Sequence, residues 1–378
     1  MNFSFPIYQL PAQTEALRAE VRDFIASELA AGRWRPRGDF ASHYDPEFSA
    51  RLGERGWLGM TWPKAYGGHE RSMLERLVVT EELLAASAPV AAHWIADRQS
   101  GPLLLRFGTE AQCREFLPPI TRGETFYSIG MSEPDSGSDL ASARTRARPV
   151  DGGWVLNGRK VWTTFAHRNH FAIVLARTGD PGPSRHEGLS QFIVDLRARD
   201  VQVRPIINMA GASEFNEVVF DDTFVPAERL VGELGNGWTQ VTSELAFERS
   251  GPERYLSSIR LIEAATRAAG SCDDLELRRA LGRACARLIA LRTMSVTVAV
   301  ELQHGGMPNL EAALIKDLGN SFEREQIQVF RRLQRLSPDD GEWRDAMAET
   351  LLNSPSWTLR GGTREILRGM VARGLGLR

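Results

Sequence analysis

Residues 129–139 read IGMSEPDSGSD, and residues 158–164 read GRKVWTT. The first stretch combines turn-forming residues with short hydroxyl side chains, so we expect a loop that exposes backbone N–H groups and small hydrogen-bond donors. Such a loop suits a polar planar ligand or a phosphate. The second stretch ends a predicted strand with a Trp and two Thr residues, which place a flat aromatic face beside two hydroxyl groups. Together the two stretches predict part of a ligand-binding site.

A simpler interpretation of both stretches stays open at this point. Loops rich in Ser and Gly commonly connect a helix with a strand at the surface, and Trp162 also suits the core of a β domain. The position of the loop favours function, because it lies where a helical pattern gives way to a strand pattern.

The composition indicates a globular protein with more than one domain. A chain of 378 residues is too long for one ordinary core, so we expect two or three domains. Its 42% hydrophobic and 25% charged residues are ordinary for globular proteins. A formal net charge of −2 gives no basic excess for nucleic acid or an anionic membrane surface.

The cysteines and the apolar runs predict a cytoplasmic location. Cys113, Cys272 and Cys285 lie far apart and form no Cys-x-x-Cys or Cys/His pattern, which is typical of a reduced intracellular protein. Met1 is followed by no basic start and no sustained apolar segment, so we expect no secretory signal. No run approaches the roughly 20 apolar residues that span a bilayer.

The pattern along the chain predicts helices, then strands, then helices. In the first part, apolar residues at Leu17, Val21 and Phe24 follow a helical spacing. The predicted helices there are 12–31, 48–58, 74–92 and 110–117, the last ended by Pro118-Pro119 because a double proline cannot continue a helix. The predicted domains are 1–120, 121–231 and 232–378.

The middle part carries strand patterns. Residues 154–156 and 159–162 flank Asn157-Gly158, which predicts a two-residue hairpin turn. Further strands are predicted at 171–175, 191–194, 201–205 and 217–220. In the last part, helices are predicted at 237–270, 274–304, 309–335 and 363–373, with a less regular region at 337–355.

This order of domains, together with the stretches at 129–139 and 158–164, resembles the acyl-CoA dehydrogenase family over the whole chain. The resemblance implies an α+β fold with an N-terminal α-helical domain, a middle β-barrel or sandwich domain and a C-terminal four-helix bundle. It implies FAD as the cofactor, with Ile129, Met131 and Ser132 at the flavin ring. Trp162 would lie against the ring and Thr164 would bond its N5 atom.

The resemblance also assigns substrates, partners and supporting residues. Ser138 would contact the acyl-CoA substrate, and Thr363 and Glu365 would take part in binding the cofactor. A helix that begins at Thr363 could hold a pyrophosphate through its first N–H groups. The electrons would pass to an electron-transfer flavoprotein, and the chain would act as an oligomer.

Glu248 is the candidate base on the first helix of the bundle. Trp238, Val241 and Leu245 share one face of that helix, and Glu248 continues it. Burying an ionised carboxylate without a partner is costly, so an acid on an apolar stripe calls for a function. Pro252 predicts a kink nearby, which could re-aim the side chain. The alternative is that Glu248 pairs with an arginine of a neighbouring helix.

The C-terminal segment departs from the commonest family pattern. The commonest members carry the catalytic glutamate immediately before a Gly-Thr pair, and Gly361 occupies that position here. Other members place the base before an arginine on the first bundle helix, and Glu248-Arg249 matches that arrangement. The resemblance therefore implies Glu248 as the base, the Gly361 N–H as a donor to the thioester carbonyl and Arg249 as a substrate contact. Glu133, Asp139 and Glu365 are the rival acids.

The adenosine end of the FAD site also departs from the family. Residues 270–276 read GSCDDLE where the family has an Arg-x-x-Phe-Gly stretch, and residues 336–343 lack a glycine pair. In the family each subunit offers these pieces to its neighbour. We therefore expect either a homo-oligomer or a heterotetramer in which a related acyl-CoA dehydrogenase subunit supplies them. Some bacterial members that act on steroid side-chain or other bulky acyl-CoAs are built in this mixed way.

Two other functions stay open. A flavin oxidase of the same fold would pass electrons to oxygen, and a non-catalytic subunit would only support a partner. The run His167-Arg168-Asn169-His170 is too sparse for a metal site, so we expect no metal.

Overall fold

The computed structural model describes residues 3–38, 43–180, 182–271, 274–334 and 341–377, without the side chains of 244–248 and 271. The helices are α1 (Ala12–Ala30), α2 (Pro46–Glu54), α3 (Met73–Ala85), α4 (Ala91–Ile95), α5 (Gly101–Phe107), α6 (Glu110–Thr121), α7 (Gly237–Glu248), α8 (Ile259–Ser271), α9 (Leu275–Gln303), α10 (Asn309–Leu333), α11 (Gly341–Trp357) and α12 (Arg364–Gly374). The strands are β1 (Tyr127–Gly130), β2 (Arg146–Val150), β3 (Gly153–Thr164), β4 (Phe171–Arg177), β5 (Leu189–Asp195), β6 (Val201–Ile206), β7 (Phe215–Pro226) and β8 (Leu230–Val231). The predicted order of helices, strands and helices is confirmed.

The described chain divides into two compact units. The first contains Met1–His43, Arg71–Pro89 and Ala246–Arg378, and the second contains Tyr44–Glu70 and Val90–Leu245. None of the helices in the described ranges has the length and apolar character needed to cross a membrane.

The second unit is built on one sheet, in the order β6-β7-β3-β2-β4-β5-β8, with β1 parallel to β4. Strands β4 and β5 are buried along nearly their whole length. One set of their side chains packs against α6 through Phe116, Leu117 and Ile120, and the other set packs against Phe220 and Val225. Because β1 runs beside β4 in this buried layer, its carboxyl end delivers Met131 and Ser132 from a fixed position.

The predicted hairpin turn at Asn157-Gly158 is wrong, because both residues lie inside the continuous strand β3. The pairing of β3 with β7 shifts between Leu156 and Gly158, which is the mark of a β-bulge. Gly158 has φ +150°, and a Cβ there would lie 2.7 Å from Cα of Thr145. Asn157 bonds Asp222 of β7 across the sheet. The same dipeptide that favours a turn therefore makes a bulge here.

Three predictions about helices also need correction. The helix predicted at 110–117 continues through Pro118 and Pro119 as α6, because the carbonyls that the prolines leave unbonded, at Arg114 and Glu115, belong to exposed residues. The helix predicted at 74–92 is two helices, separated by Ser87 with φ +51°. Most of the region at 337–355 is α11, held by the buried side chains of Trp343, Ala346, Met347 and Thr350. Residues 335–340 lie outside the described ranges.

The first unit is held together by buried ion pairs and apolar contacts. Arg18 of α1 donates to the carboxylates of Glu81 and Glu82 of α3, and Arg292 of α9 donates to Glu81 at 2.6 Å. The helix predicted at 237–270 is interrupted, since α7 ends at Glu248 and a short 3-10 turn, Pro252–Arg254, precedes α8. The kink expected at Pro252 is thus a complete break.

Candidate functional site

In the second unit, the loop after β1 is tied to β3 by three hydrogen bonds. Lys160 Nζ lies 3.0 Å from the Met131 carbonyl and 2.8 Å from Glu133 Oε1. The Val161 N–H donates to the Ser132 carbonyl at 2.9 Å. Since the carbonyl oxygens of Met131 and Ser132 are bonded to β3, the loop has one defined conformation.

Glu133 closes this loop with its carboxylate. Its two oxygens accept the backbone N–H groups of Arg144 and Thr145 at 2.7 and 2.8 Å, besides the bond from Lys160. Burial opposes ionisation, but the Lys160 charge and these donors hold the pKa of Glu133 below its usual value. Burial lowers the pKa of Lys160 to about 8, against the pull of Glu133. Glu133, one of the rival acids, therefore uses its carboxylate to hold the loop together.

Trp162 is placed by an irregularity in β3. The register between β3 and β7 shifts between Lys160 and Thr163, and Trp162 has φ +62°. A bulky residue in the left-handed region is strained, and such strain gathers at functional positions. The bulge leaves the indole 58% exposed, in edge contact with Phe215.

The neighbouring candidate residues lie along the same strands. Ile129 and Met131 are half-buried, and Met131 packs with Trp238 and Val241 of α7. Thr164 is half-buried, and its carbonyl accepts the Ser128 hydroxyl at 2.7 Å. The structure therefore places Ile129, Met131, Ser132, Trp162 and Thr164 at or next to the carboxyl ends of β1 and β3.

Ser138 lies further along the same loop and is exposed. The Asp139 carbonyl accepts the hydroxyls of Ser136 and Ser142 at 2.8 and 2.7 Å. The Asp139 carboxylate pairs with Arg185 at 2.9 Å, and the next residue, His186, stacks on Trp238 with ring centroids 4.1 Å apart. Asp139 thus joins the loop to the β4–β5 connection, which is a structural task.

This surface fits an isoalloxazine ring. A flat ring needs an apolar face to lie against and polar groups at its edge. Trp162, Met131 and Ile129 offer the apolar face. Ser132 and Thr164 offer the polar groups. The loop that carries Ser132 is held from behind by Lys160, which bonds the Met131 carbonyl and Glu133. Among the described residues no His, Cys, Asp and Glu side chains cluster as a metal site would require.

In the first unit, Arg249, Gly361 and Thr363 lie around one turn. Glu248 is the last residue of α7, and its side chain lies outside the described residues. Arg249 follows it and is only 3% exposed. Its Nε donates to the Gly361 carbonyl at 3.1 Å, and Nη1 lies 3.0 Å from Met370 Sδ. Arg249 therefore supports the turn that contains Gly361.

The turn Gly361–Thr363 leads into α12. Gly361 and Gly362 have φ +67° and +100°, which only glycine adopts without strain. Thr363 is the N-cap residue of α12, and the Glu365 N–H, together with the Thr363 hydroxyl, lowers the pKa of the exposed Glu365 carboxyl. Lys316 of α10 is fully buried, and its Nζ donates to the Gly362 carbonyl at 2.7 Å.

Two buried lysines that hold the loops of the candidate residues in place were missed in the sequence. Lys160 and Lys316 were not singled out, although the 46 basic residues of the chain include just three lysines. Lys64 is exposed, whereas Lys160 and Lys316 are fully buried beside the two groups of candidate residues. In a chain that uses arginine almost everywhere else, the rarity of lysine was the available signal.

Comparison with known families gives matches for the N-terminal and middle parts of the chain. Residues 11–124 match the N-terminal domain of acyl-CoA dehydrogenases, and residues 128–223 match the middle domain. The chain is 35% identical to the acyl-CoA dehydrogenase IpdE1 of Mycobacterium tuberculosis, over 96% of this chain and 97% of that protein. It is 33% identical to the acyl-CoA dehydrogenase FadE29 of the same organism, over 96% of each chain.

Solved structures agree with these matches. The chain superposes on a chain of the Tcur3481-Tcur3483 steroid ACAD with a TM-score of 0.85 and 29% identity, over 98% of this chain and 99% of that one. It superposes on a chain of the ChsE4-ChsE5 complex from Mycobacterium tuberculosis with a TM-score of 0.83 and 27% identity, over 98% and 99%.

Proposed function

Since the chain belongs to the acyl-CoA dehydrogenase family, we propose that it converts an acyl-CoA thioester to the trans-2-enoyl-CoA with FAD as its cofactor. One proton leaves Cα and one hydride leaves Cβ, so a carbon–carbon double bond forms. FAD, when bound, supplies the hydride acceptor. The observation that carries this proposal is the surface formed by Met131, Ser132, Trp162 and Thr164 at the ends of β1 and β3.

Glu248 takes the Cα proton in this proposal. A positioned general base contributes roughly 10²–10⁴-fold to the rate when its pKa lies near the working pH. Gly361 carries no side chain that could serve as a base, but its N–H can donate to the thioester carbonyl and thereby acidify the Cα proton. The bond from Arg249 to the Gly361 carbonyl supports a positioning role for Arg249, beside the substrate contact expected from the sequence.

The substrate in this proposal is a bulky acyl-CoA. Helix α4 carries Ala91 and Ala92, whose small side chains suit a wide acyl pocket, whereas the space beside Gly101 is filled by the Trp62 ring, which a Cβ there would meet at 2.1 Å. The names of the similar structures point the same way, since the Tcur3481-Tcur3483 protein is described as a steroid ACAD. Ser138 is exposed at the loop where the CoA part would bind.

The assembly in this proposal is a heterotetramer with a related subunit that supplies the adenosine-binding pieces. Two of the similar structures carry paired names, Tcur3481-Tcur3483 and ChsE4-ChsE5, which supports this arrangement. An electron-transfer flavoprotein is the proposed electron acceptor.

One experiment tests the cofactor and the assembly together. The chain is expressed alone and with a related acyl-CoA dehydrogenase subunit encoded beside it, and absorbance spectrum and mass are measured. We expect little flavin in the chain alone and a full flavin spectrum in the mixed complex. A homotetramer with one FAD per chain would overturn the mixed assembly, and a colourless mixed complex would overturn the flavoprotein. Fast reoxidation of the reduced complex in air would identify an oxidase instead.

A further inference from the structure

We propose that Lys316 is a positioning residue that sets the turn Gly361–Thr363 for substrate. This role rests on the proposed function, because it concerns the turn whose Gly361 N–H would polarise the thioester carbonyl. Lys316 lies on α10, far from the turn in sequence, and no family motif in the sequence analysis included it.

Two buried cations hold two successive carbonyls of this turn. Arg249 Nε lies 3.1 Å from the Gly361 carbonyl, and Lys316 Nζ lies 2.7 Å from the Gly362 carbonyl. In a trans peptide the C=O and the N–H point in opposite directions. The N–H groups of Gly362 and Thr363 therefore point away from the two cations.

The N–H groups of the turn are available to a ligand. Within the described chain, no acceptor takes the N–H of Gly361, Gly362 or Thr363, and these three residues are half-buried. Consecutive N–H groups on a turn with φ of +67° and +100° form a concave donor site of the kind that binds an oxyanion or a polarised carbonyl. The carbonyl oxygens of Gly361 and Gly362 are thus bonded to the two buried cations, while the N–H groups of the turn stay available to substrate.

The position of Lys316 is itself fixed by α10. The Asn320 amide, oriented with its oxygen toward Lys316, accepts from Nζ at 3.1 Å and donates to the Trp357 carbonyl at 3.1 Å. The next residue, Asp317, pairs with Arg364 and Arg368 of α12 at 2.9 and 3.1 Å. Adjacent residues of α10 therefore hold both the turn and the helix that follows it.

The choice of lysine supports a specific role. The chain has three lysines among 46 basic residues, and one of them occupies this fully buried position. Lysine offers three donors around one compact charge, whereas arginine presents a planar fork. Lys316 can thus bond the Gly362 carbonyl and Asn320 within one small site.

The test compares Lys316→Met with Asp317→Asn and Lys64→Met in the flavin-loaded complex. The probe is 3-indoleacryloyl-CoA, a chromophoric enoyl thioester whose absorbance moves to longer wavelength when its carbonyl is polarised. Asp317→Asn loosens α12 without removing a carbonyl anchor, so it controls for a merely structural effect. Lys64 is exposed and controls for the loss of a lysine.

For Lys316→Met we expect most of the red shift to disappear and kcat to fall about 10-fold to 100-fold, with KM changed less than about threefold. Lys316→Arg should show the same losses of red shift and of kcat as Lys316→Met. Asp317→Asn should lower Tm and keep the red shift, and Lys64→Met should behave as wild type. If Lys316→Met does not fold, Asn320→Leu keeps the lysine and should lose part of the shift.

A Lys316→Met or Asn320→Leu protein with the full red shift would overturn the positioning role. A wild-type complex that binds the probe without any red shift, and turns over no acyl-CoA, would instead overturn the proposed function and this role with it.

Discussion

Lys160 Nζ lies 2.8 Å from Glu133 Oε1 inside the second unit, and both side chains are buried. The pair joins β3 to the loop that carries Met131 and Ser132. Lys160 itself lies two residues before the exposed Trp162. A buried ion pair seldom adds much stability over an apolar pair, but breaking it by removing one partner is costly. Its value here is the fixed conformation of the loop.

This relationship predicts a double-mutant result. Lys160→Met leaves the Glu133 carboxylate buried with its two N–H donors alone, and we expect a loss of roughly 3–5 kcal/mol in the free energy of unfolding. Adding Glu133→Gln removes the stranded charge and should recover part of that loss. FAD affinity should stay weakened in both variants, because the Met131 carbonyl has lost its anchor. Urea unfolding and flavin titration measure the two effects, and full FAD affinity in Lys160→Met would contradict the positioning of the loop.

The same lysine predicts a pH dependence of stability. The folded pKa of Lys160 is about 8, below the ordinary 10.5. Above pH 8 the unfolded chain therefore binds more protons at this residue than the folded chain does. Stability from this group then rises with pH, by up to about 1.4 kcal/mol per pH unit until the unfolded pKa is reached. Between pH 8 and 9.5 we expect the free energy of unfolding of wild type to rise relative to that of the Lys160→Met/Glu133→Gln variant. A constant difference in unfolding free energy would show that Lys160 keeps its ordinary pKa.

Trp162 predicts opposite effects on stability and on cofactor binding. Trp162→Gly relieves the strain of φ +62° and removes an exposed indole, so the protein without flavin should be as stable as wild type or about 1 kcal/mol more stable. FAD affinity should fall at least about tenfold, the equivalent of about 1.4 kcal/mol, because the ring loses its aromatic contact. Ser87→Gly, another left-handed residue, lies in the first unit and should leave FAD affinity unchanged. Equal FAD affinity in Trp162→Gly would exclude the indole from the flavin site.

The turn predicts a steric effect at Gly362. A Cβ at this position would lie 3.3 Å from Nη2 of Arg249, and φ is +100°. Gly362→Ala should therefore cost about 1–3 kcal/mol of stability and lower kcat more than it raises KM. Gly376→Ala is the matched control, since it has φ +77° with open space around it. Thermal unfolding and steady-state kinetics separate strain from lost catalysis. A kcat effect as large in Gly376→Ala would mean that the turn has no special role.

The sequence predicted the order of elements because this order depends on local patterns. Met131, Ser132, Trp162 and Thr164 lie in two short stretches, 129–139 and 158–164, and strands β4 and β5 carry apolar runs. It failed at Asn157-Gly158, where cross-strand pairing overrode the preference for a turn, and at Pro118-Pro119, where the carbonyls left unbonded belong to exposed residues. It also missed Lys160 and Lys316, because each acts on a carbonyl that is distant along the chain.

Glu248 gives the decisive test of chemistry. Glu248→Gln keeps the size of the side chain and removes its basicity, so turnover should fall by roughly 10²–10⁴-fold while Tm and FAD content stay near wild type. Glu228→Gln, in the exposed 3-10 turn Ala227–Arg229, is the matched control and should keep full activity. Glu253 is a buried acid in the same unit, with Oε2 unbonded among the described residues. If Glu253→Gln abolished turnover and Glu248→Gln did not, the base would be Glu253. In the expected case, Glu248→Gln still binds 3-indoleacryloyl-CoA with its red shift, because the donors of the Gly361 turn are untouched and only the proton acceptor is lost.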